Sequence, residues 1–311
     1  MRKVKIKQNR RAKFSPLTVL MLVILIAYSV LLGVLLLWGL ITALKHNQFD
    51  FRKNPYQFPN AFSWGLKGKD GVAILANIKK LVFEKPITAE MPDGSFQTVV
   101  LWKLYANGIL YALGCAFAQT LVACVTAYFC ARYKYKFSKM MYATVLIVMI
   151  IPIVGSMPSE IQMAKTFGLY NQMWGLWIMK ANFLGMYFLV FHEYFKGLPD
   201  SYVEAAKIDG AGNVSILLRI GMPLAKNLFL TVLLINFITY WNDYQTPLVY
   251  LRRYPTIAYA VFQWTTGGAG GLASVPVQMT ATALLMVPIL ILFITCNQRL
   301  LGNLTIGGIK G

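Results

Sequence analysis

Residues Leu17 to Leu44 read "LTVLMLVILIAYSVLLGVLLLWGLITAL", 28 residues without a charge. A helix needs about 20 apolar residues to cross the hydrocarbon of a bilayer. The alternative, a buried helix of a soluble domain, has to account for three more runs of the same kind. Tyr105–Ala131 gives 27 charge-free residues, Met140–Ser159 gives 20 and Met279–Asn297 gives 19. A soluble domain does not carry four such segments. The fold class expected is therefore an all-α integral membrane protein. Over the whole chain, 57% of the 311 residues are hydrophobic, against roughly 45–50% for a soluble protein.

Two weaker segments complete the set. Met173–Phe191 is apolar apart from Lys180, and Asn227–Asn242 runs into Asp243 before Tyr244–Leu251. With them the count is six spans, at residues 17–44, 104–131, 140–160, 173–192, 226–247 and 276–298. The first run follows a basic stretch, as a cleaved signal does, but it is about twice the 7–15 residues of a signal core. It is expected to be a retained helix.

Lys and Arg set the orientation. Residues 1–16 carry Arg2, Lys3, Lys5, Lys7, Arg10, Arg11 and Lys13, and the turn after the second span carries Arg132, Lys134, Lys136 and Lys139. Both belong inside, so both termini are expected in the cytoplasm, with residues 299–311 as an inner tail. Residues 45–103 then form an outer loop, although nine basic residues lie in it; it is long, and five acidic residues offset them. Within that loop, Val72, Leu75, Ile78, Leu81 and Val82 have the spacing of a short amphipathic helix. "MPDGSFQTVV" offers a Pro-Asp-Gly turn for a small hairpin. The net charge of +19 is spread over both faces, which argues for topology rather than for nucleic acid as a partner.

Chemistry is scarce. No phosphate-binding loop is present: "GLKGKDG" lacks the upstream glycine and the Ser/Thr that such a loop requires. His46 and His192 fall on opposite expected faces of the membrane. Cys115, Cys124, Cys130 and Cys296 lie in or at the ends of spans and form no C-x-x-C pair, so neither a metal nor a disulfide is implied. No nucleophile is paired with a base, and the chain is not expected to be an enzyme by itself.

One acidic stretch stands out on the inner side. "SYVEAAKIDGAG", Ser201–Gly212, follows Pro199 and Asp200 inside the expected inner loop 196–224. Ser201 and Glu204 have the spacing of a capping box. Gly210 fits a left-handed helix stop, and Asn213 can cap a second helix through Ile220. Ala205 and Ala206 leave room for another backbone to approach. The reading is a docking knob, against the plainer reading of an ordinary capped loop.

"EAAKIDGAG", followed ten residues on by "MPLAKN", closely resembles the EAA loop of binding-protein-dependent ABC importer permeases. The matching positions are Glu204, Ala205, Ala206, Asp209, Gly210, Ala211 and Pro223. The resemblance extends over residues 105–311 through "ANGILYA", "AYFCARYKYK", "MIPIVGSMP", "YWNDYQTPLVYL" and "NLTIGGIKG". Together these resemble the carbohydrate-type subfamily and, within it, the six-span subunit of maltose-type transporters. The outer loop 45–103 matches poorly and is longer than usual.

The resemblance implies an ABC type I importer permease fold over residues 104–311. It implies four kinds of partner: a lipid bilayer, a second homologous permease, two ATPase subunits and an extracytoplasmic solute-binding protein. ATP and Mg would be bound by the ATPase subunits and no cofactor by this chain. The loop helix would sit in a cleft of an ATPase, with Glu204 facing a basic group and Gly210 making the turn. The outer loop 248–275 contains Gly267, Gly268, Gly270 and Gly271 at the position of the segment that reaches into the binding protein, against a plain linker. Lys180, Trp241, Asn242 and Asp243 are candidates for the substrate pathway. For Lys180 the alternatives are a structural ion pair and snorkelling to headgroups; for Trp241 the alternative is the interfacial aromatic belt. A stand-alone ion-coupled carrier is the competing function, disfavoured because no internal repeat is evident.

Overall fold

The computed structural model describes residues 15–45, 51, 55–56, 73–84, 86–133, 135–151, 155–266 and 275–304. Its helices are α1 (Pro16–Ala43), α2 (Ala73–Glu84), α3 (Leu101–Arg132), α4 (Lys136–Ile150), α5 (Met157–Thr166), α6 (Met173–Lys180), α7 (Met186–Lys196), α8 (Ser201–Ile208), α9 (Asn213–Leu224), α10 (Lys226–Asn242), α11 (Gln245–Tyr250), α12 (Ile257–Thr266) and α13 (Val275–Leu304). Leu217–Gly221 within α9 is a π-helical turn. A two-stranded antiparallel hairpin, β1 (Thr88–Glu90) and β2 (Phe96–Thr98), interrupts the helices.

Contacts divide the chain into two units, one reaching Asn77 and including Ser274–Ala283, the other made of Ile78–Ala273 and the chain from Leu284 on. In the first unit α1 starts with Pro16 in its first turn, where the missing N–H costs nothing. Leu17 to Leu37 are exposed on every side of it. An apolar helix with no polar face is satisfied only by lipid or by a partner. At its far end the Asn77 amide donates to Ala43 O and Lys45 O, both at 3.1 Å, and to Thr280 Oγ1 at 3.3 Å. That buried side chain thereby satisfies carbonyls that the end of α1 leaves open.

The amphipathic helix expected around 72–82 is α2, with Leu81 buried and Lys79 and Lys80 exposed. The expected hairpin is β1–β2, registered Thr88↔Thr98 to Glu90↔Phe96. Asp93 in its turn accepts from Ser95 Oγ at 2.7 Å and Ser95 N at 3.0 Å, which holds its carboxyl below the ordinary carboxylate range.

The second unit is organised around α3. This helix buries Leu104, Gly108, Tyr111, Cys115, Thr120, Ala123, Cys124, Ala127 and Tyr128. The stripe is mostly small, as suits helices that associate in lipid by close packing rather than by hydrophobic exclusion. Against it lie α4, α6, α7, α10 and α12. The closest approach is at Gly114, where any Cβ would overlap the indole of Trp177 on α6. Gly114→Val is therefore expected to displace α6. Overpacking of this kind costs roughly 1–3 kcal/mol, and a lowered melting temperature of the solubilised protein would register it. An unchanged melting temperature would mean that α6 yields freely. At the Arg132 end, Tyr128, Phe188, Phe191, Phe195, Leu217 and Ala225 form one core, with Tyr128 edge-on to Phe195 at 5.1 Å.

Among the described residues, three helices are long and apolar enough to cross a bilayer by themselves: α1, α3 and Val275–Thr295 of α13. A fourth candidate is the pair α9 and α10, bent by 74°. The segment read as span three is α4, which ends at Ile150, with Pro152 outside the described residues. The segment read as span four is two helices, α6 and α7, separated by non-helical chain over residues 181–185. Non-helical backbone at membrane depth is tolerated where it is covered by protein or lines a wet cavity.

Candidate functional site

The acidic stretch forms α8, the turn after it and the start of α9. Gly210 has φ +78°, the left-handed conformation expected of it. Two bonds close the helix end: Gly210 N donates to Lys207 O at 3.0 Å and Ala211 N to Ala206 O at 2.9 Å. These are the two bonds of a Schellman stop. Nothing lies within 4 Å of where a Cβ would stand at Gly210. The glycine is there for its backbone conformation and not for space.

The start of α8 differs from the capping box read from the sequence. Asp200 is already helical, with φ −65° and ψ −25°, and no side chain caps the helix. Ser201 is thus inside the first turn rather than at its boundary, and its hydroxyl is not placed to cap. Asp200 O takes the amides of Val203 at 2.9 Å and Glu204 at 3.0 Å. Its carboxylate is engaged elsewhere, by Arg132 at the end of α3 at 2.7 Å.

Between its two ends the helix presents an unpartnered surface. Ala206 is buried against the protein, whereas Tyr202, Glu204, Ala205, Lys207, Ile208 and Asp209 are exposed. Ile208 is 86% exposed, as far out as any large apolar side chain described. The Glu204 side chain makes no hydrogen bond or ion pair among the described residues. Beside it runs an open groove of about 580 Å³ lined by Arg132, Tyr133, Tyr135, Lys196, Val203 and Glu204, among others. The loop is anchored on its far side by Tyr194 Oη, which donates to Leu224 O at 2.6 Å.

The candidate pathway residues separate. Asp243 follows α10 and is half-buried. Its Oδ2 accepts from Tyr111 Oη at 2.8 Å and its Oδ1 from Thr246 N at 3.0 Å. Neighbouring polar pairs continue along α3 and α10: Tyr240 Oη donates to Gln119 Oε1 at 2.9 Å, and Asn236 Nδ2 to Thr120 Oγ1 at 3.0 Å. Asn242 is exposed, and its amide turns back to Ile238 O at 2.8 Å. Lys180 is the last residue of α6, at the break and half-buried, and its ammonium makes no hydrogen bond or ion pair among the described residues. Trp241 is 3% exposed, donates from Nε1 to Leu285 O at 3.1 Å, and packs between Phe237 and Tyr105. Its ring is part of the helix packing and presents no open face to a sugar. The glycines at 267, 268, 270 and 271 lie outside the described residues.

Sequence reading assigned no role to Tyr111, Gln119 or Asn236. Their signal was there: polar residues recurring at four- or eight-residue spacing inside charge-free runs lie on one helix face. Arg132 was read for orientation alone.

The family model described as "Binding-protein-dependent transport system inner membrane component" matches residues 119–304. A second, "Cytochrome oxidase maturation protein cbb3-type", matches residues 21–55, a stretch that overlaps α1 and runs past its end. The melibiose/raffinose/stachyose import permease protein MelC of Bacillus subtilis is 26% identical over 236 residues, covering 75% of this chain and 84% of that protein. The arabinooligosaccharides transport system permease protein AraQ of Halalkalibacterium halodurans is 26% identical over 210 residues, covering 68% and 75%. Among solved structures, a bacterial ABC transporter involved in the import of the acidic polysaccharide alginate matches with a TM-score of 0.67 at 18% identity, covering 92% of this chain and 98% of that one.

Proposed function

The chain belongs to the family of binding-protein-dependent transport system inner membrane components, and from that premise we propose that it is one of two permease subunits of an ATP-driven oligosaccharide importer. The observation that carries the coupling part of this reading is α8. It is a short helix closed by a left-handed Gly210, with Glu204, Ala205 and Ile208 exposed beside an open groove. Such a helix has no chemistry to perform and a surface to be pushed on. Its partner is a cytoplasmic ATPase, which binds the ATP and Mg; this chain binds neither. The names of the two relatives above, a melibiose/raffinose/stachyose import permease and an arabinooligosaccharides permease, support the substrate class and leave the individual sugar open.

The spans number six, with both termini and α8 inside. Arg132, Lys134, Lys136 and Lys139, in the turn after the second span, support that orientation. The pathway runs along the polar track of α3 and α10 with Asp243 and Asn242, past Lys180 at the break in span four. An intramembrane charge at a helix break is expected to face a wet cavity. Trp241 supports the track from behind. On the outer side, the glycines from Gly267 to Gly271 contact the solute-binding protein, because a chain without side chains can enter a narrow cleft. Replacing the five residues by one glycine is expected to leave the complex assembled and to lower the stimulation of ATP hydrolysis by loaded binding protein. Stimulation at the wild-type level would assign that contact to residues 45–103 instead.

The decisive test is reconstitution. This chain, its partner permease, the ATPases and the binding protein, in proteoliposomes, should take up a labelled oligosaccharide only with ATP and binding protein present. Uptake by this chain alone, driven by a proton or sodium gradient, would replace the reading with that of a secondary carrier.

A further inference from the structure

The geometry points to Arg132 as the positioning residue that joins the ATPase-facing helix to the substrate track, an inference that rests on the reading of α8 given above. Arg132 ends α3, and its side chain is 7% exposed, whereas that of its ion-pair partner Asp200 is 77% exposed. One guanidinium nitrogen donates to Asp200 Oδ1 at 2.7 Å and the other to Leu198 O at 2.9 Å. Asp200 stands at the start of α8 and Leu198 two residues beyond the end of α7. One planar group therefore ties three helices together: the end of α3, the end of α7 and the start of α8.

The chemistry favours a mechanical part over a surface ion pair. An exposed pair between two mobile side chains contributes little, but here the cation is buried and its fork is shared between a carboxylate and a carbonyl at fixed spacing. A lysine is a point charge and cannot hold both acceptors in one plane. Among the described residues the buried Arg132 Nε–H has no partner, so this placement leaves a donor unmet there. The carboxylate that could have capped α8 is spent on the same contact. Along α3 from Arg132 lie Tyr128 in the core, then Thr120, Gln119 and Tyr111, the last bonded to Asp243. A push on α8 thus reaches the helix that lines the pathway through a single rigid group.

The test uses the whole complex with Arg132→Lys and Arg132→Ala, and Gly210→Val as reference. The lysine variant keeps the charge that orients the loop, so the chain should still insert and copurify with the ATPase. Sugar transported per ATP hydrolysed should fall by about tenfold, the factor that one lost charge-assisted bond of ~1.4 kcal/mol represents. The concentration of loaded binding protein needed for half-maximal stimulation should not move, because the outer face is untouched. Wild-type coupling in Arg132→Lys, while Gly210→Val is uncoupled, would overturn the role of Arg132 alone. Wild-type coupling in both would overturn the reading of α8 on which it rests. Failure of Arg132→Lys to assemble at all would make the residue structural and overturn the proposal as well.

Discussion

Replacing Gly210 with valine is expected to abolish ATP-driven uptake while the chain still reaches the membrane in normal amount. Gly210 stands at φ +78° with empty space where its Cβ would be. The penalty is therefore one of backbone conformation, about 1–2 kcal/mol for a side chain in the left-handed region. A β-branched residue pays at least that much. Against the ~5–15 kcal/mol that holds a folded domain together, this does not unfold the protein. It does remove the turn. Both closing bonds, from Gly210 N and Ala211 N, depend on the left-handed residue, and without it the chain leaves α8 in another direction. Uptake and membrane abundance measured side by side make the check. Normal uptake with valine at this position would mean that the orientation of α8 does not matter to transport.

Tyr111→Phe is expected to lower uptake by about tenfold, the factor corresponding to ~1.4 kcal/mol. Tyr111 Oη is the side-chain donor to Asp243 Oδ2, at 2.8 Å. Hydrogen bonds between membrane helices average ~0.6 kcal/mol and reach about 1.7, and a carboxylate acceptor puts this bond in the upper part of that range. The substitution removes one hydroxyl and keeps the ring, so the edge-on packing against Tyr240 at 5.9 Å survives. The loss should appear in the maximal rate, with the concentration of binding protein at half-maximal uptake unchanged. Uptake at the wild-type rate would separate Asp243 from the pathway.

How far each feature was legible in the sequence follows from the range of the forces behind it. Helix α1 was legible outright, because the requirement for apolar side chains adds up residue by residue along Leu17–Leu44. Local geometry was also readable. The hairpin turn at Pro92–Asp93–Gly94 and the left-handed stop at Gly210 depend on a few neighbouring residues. The start of α8 was not, since the carboxylate that would cap it is claimed by an arginine 68 positions away. Nor was the break between Lys180 and Met186. No proline marks it, and Trp177 set into the notch at Gly114 is a tertiary contact with no local trace. Trp241 is the same kind of case. A tryptophan at the end of an apolar run suits an interface, a sugar and a core alike, and only the bond to Leu285 O at 3.1 Å and the flanking rings distinguish them.

The central claim is that α8 is the surface on which an ATPase acts. A photoreactive side chain in place of Ile208, which is 86% exposed, would report its neighbour directly in the assembled complex. A cross-link to the ATPase subunit is expected from this position, and none from the same probe at Phe96 on the outer hairpin. A complex that transports normally, yet gives no ATPase cross-link from Ile208 or gives one from Phe96, would contradict it.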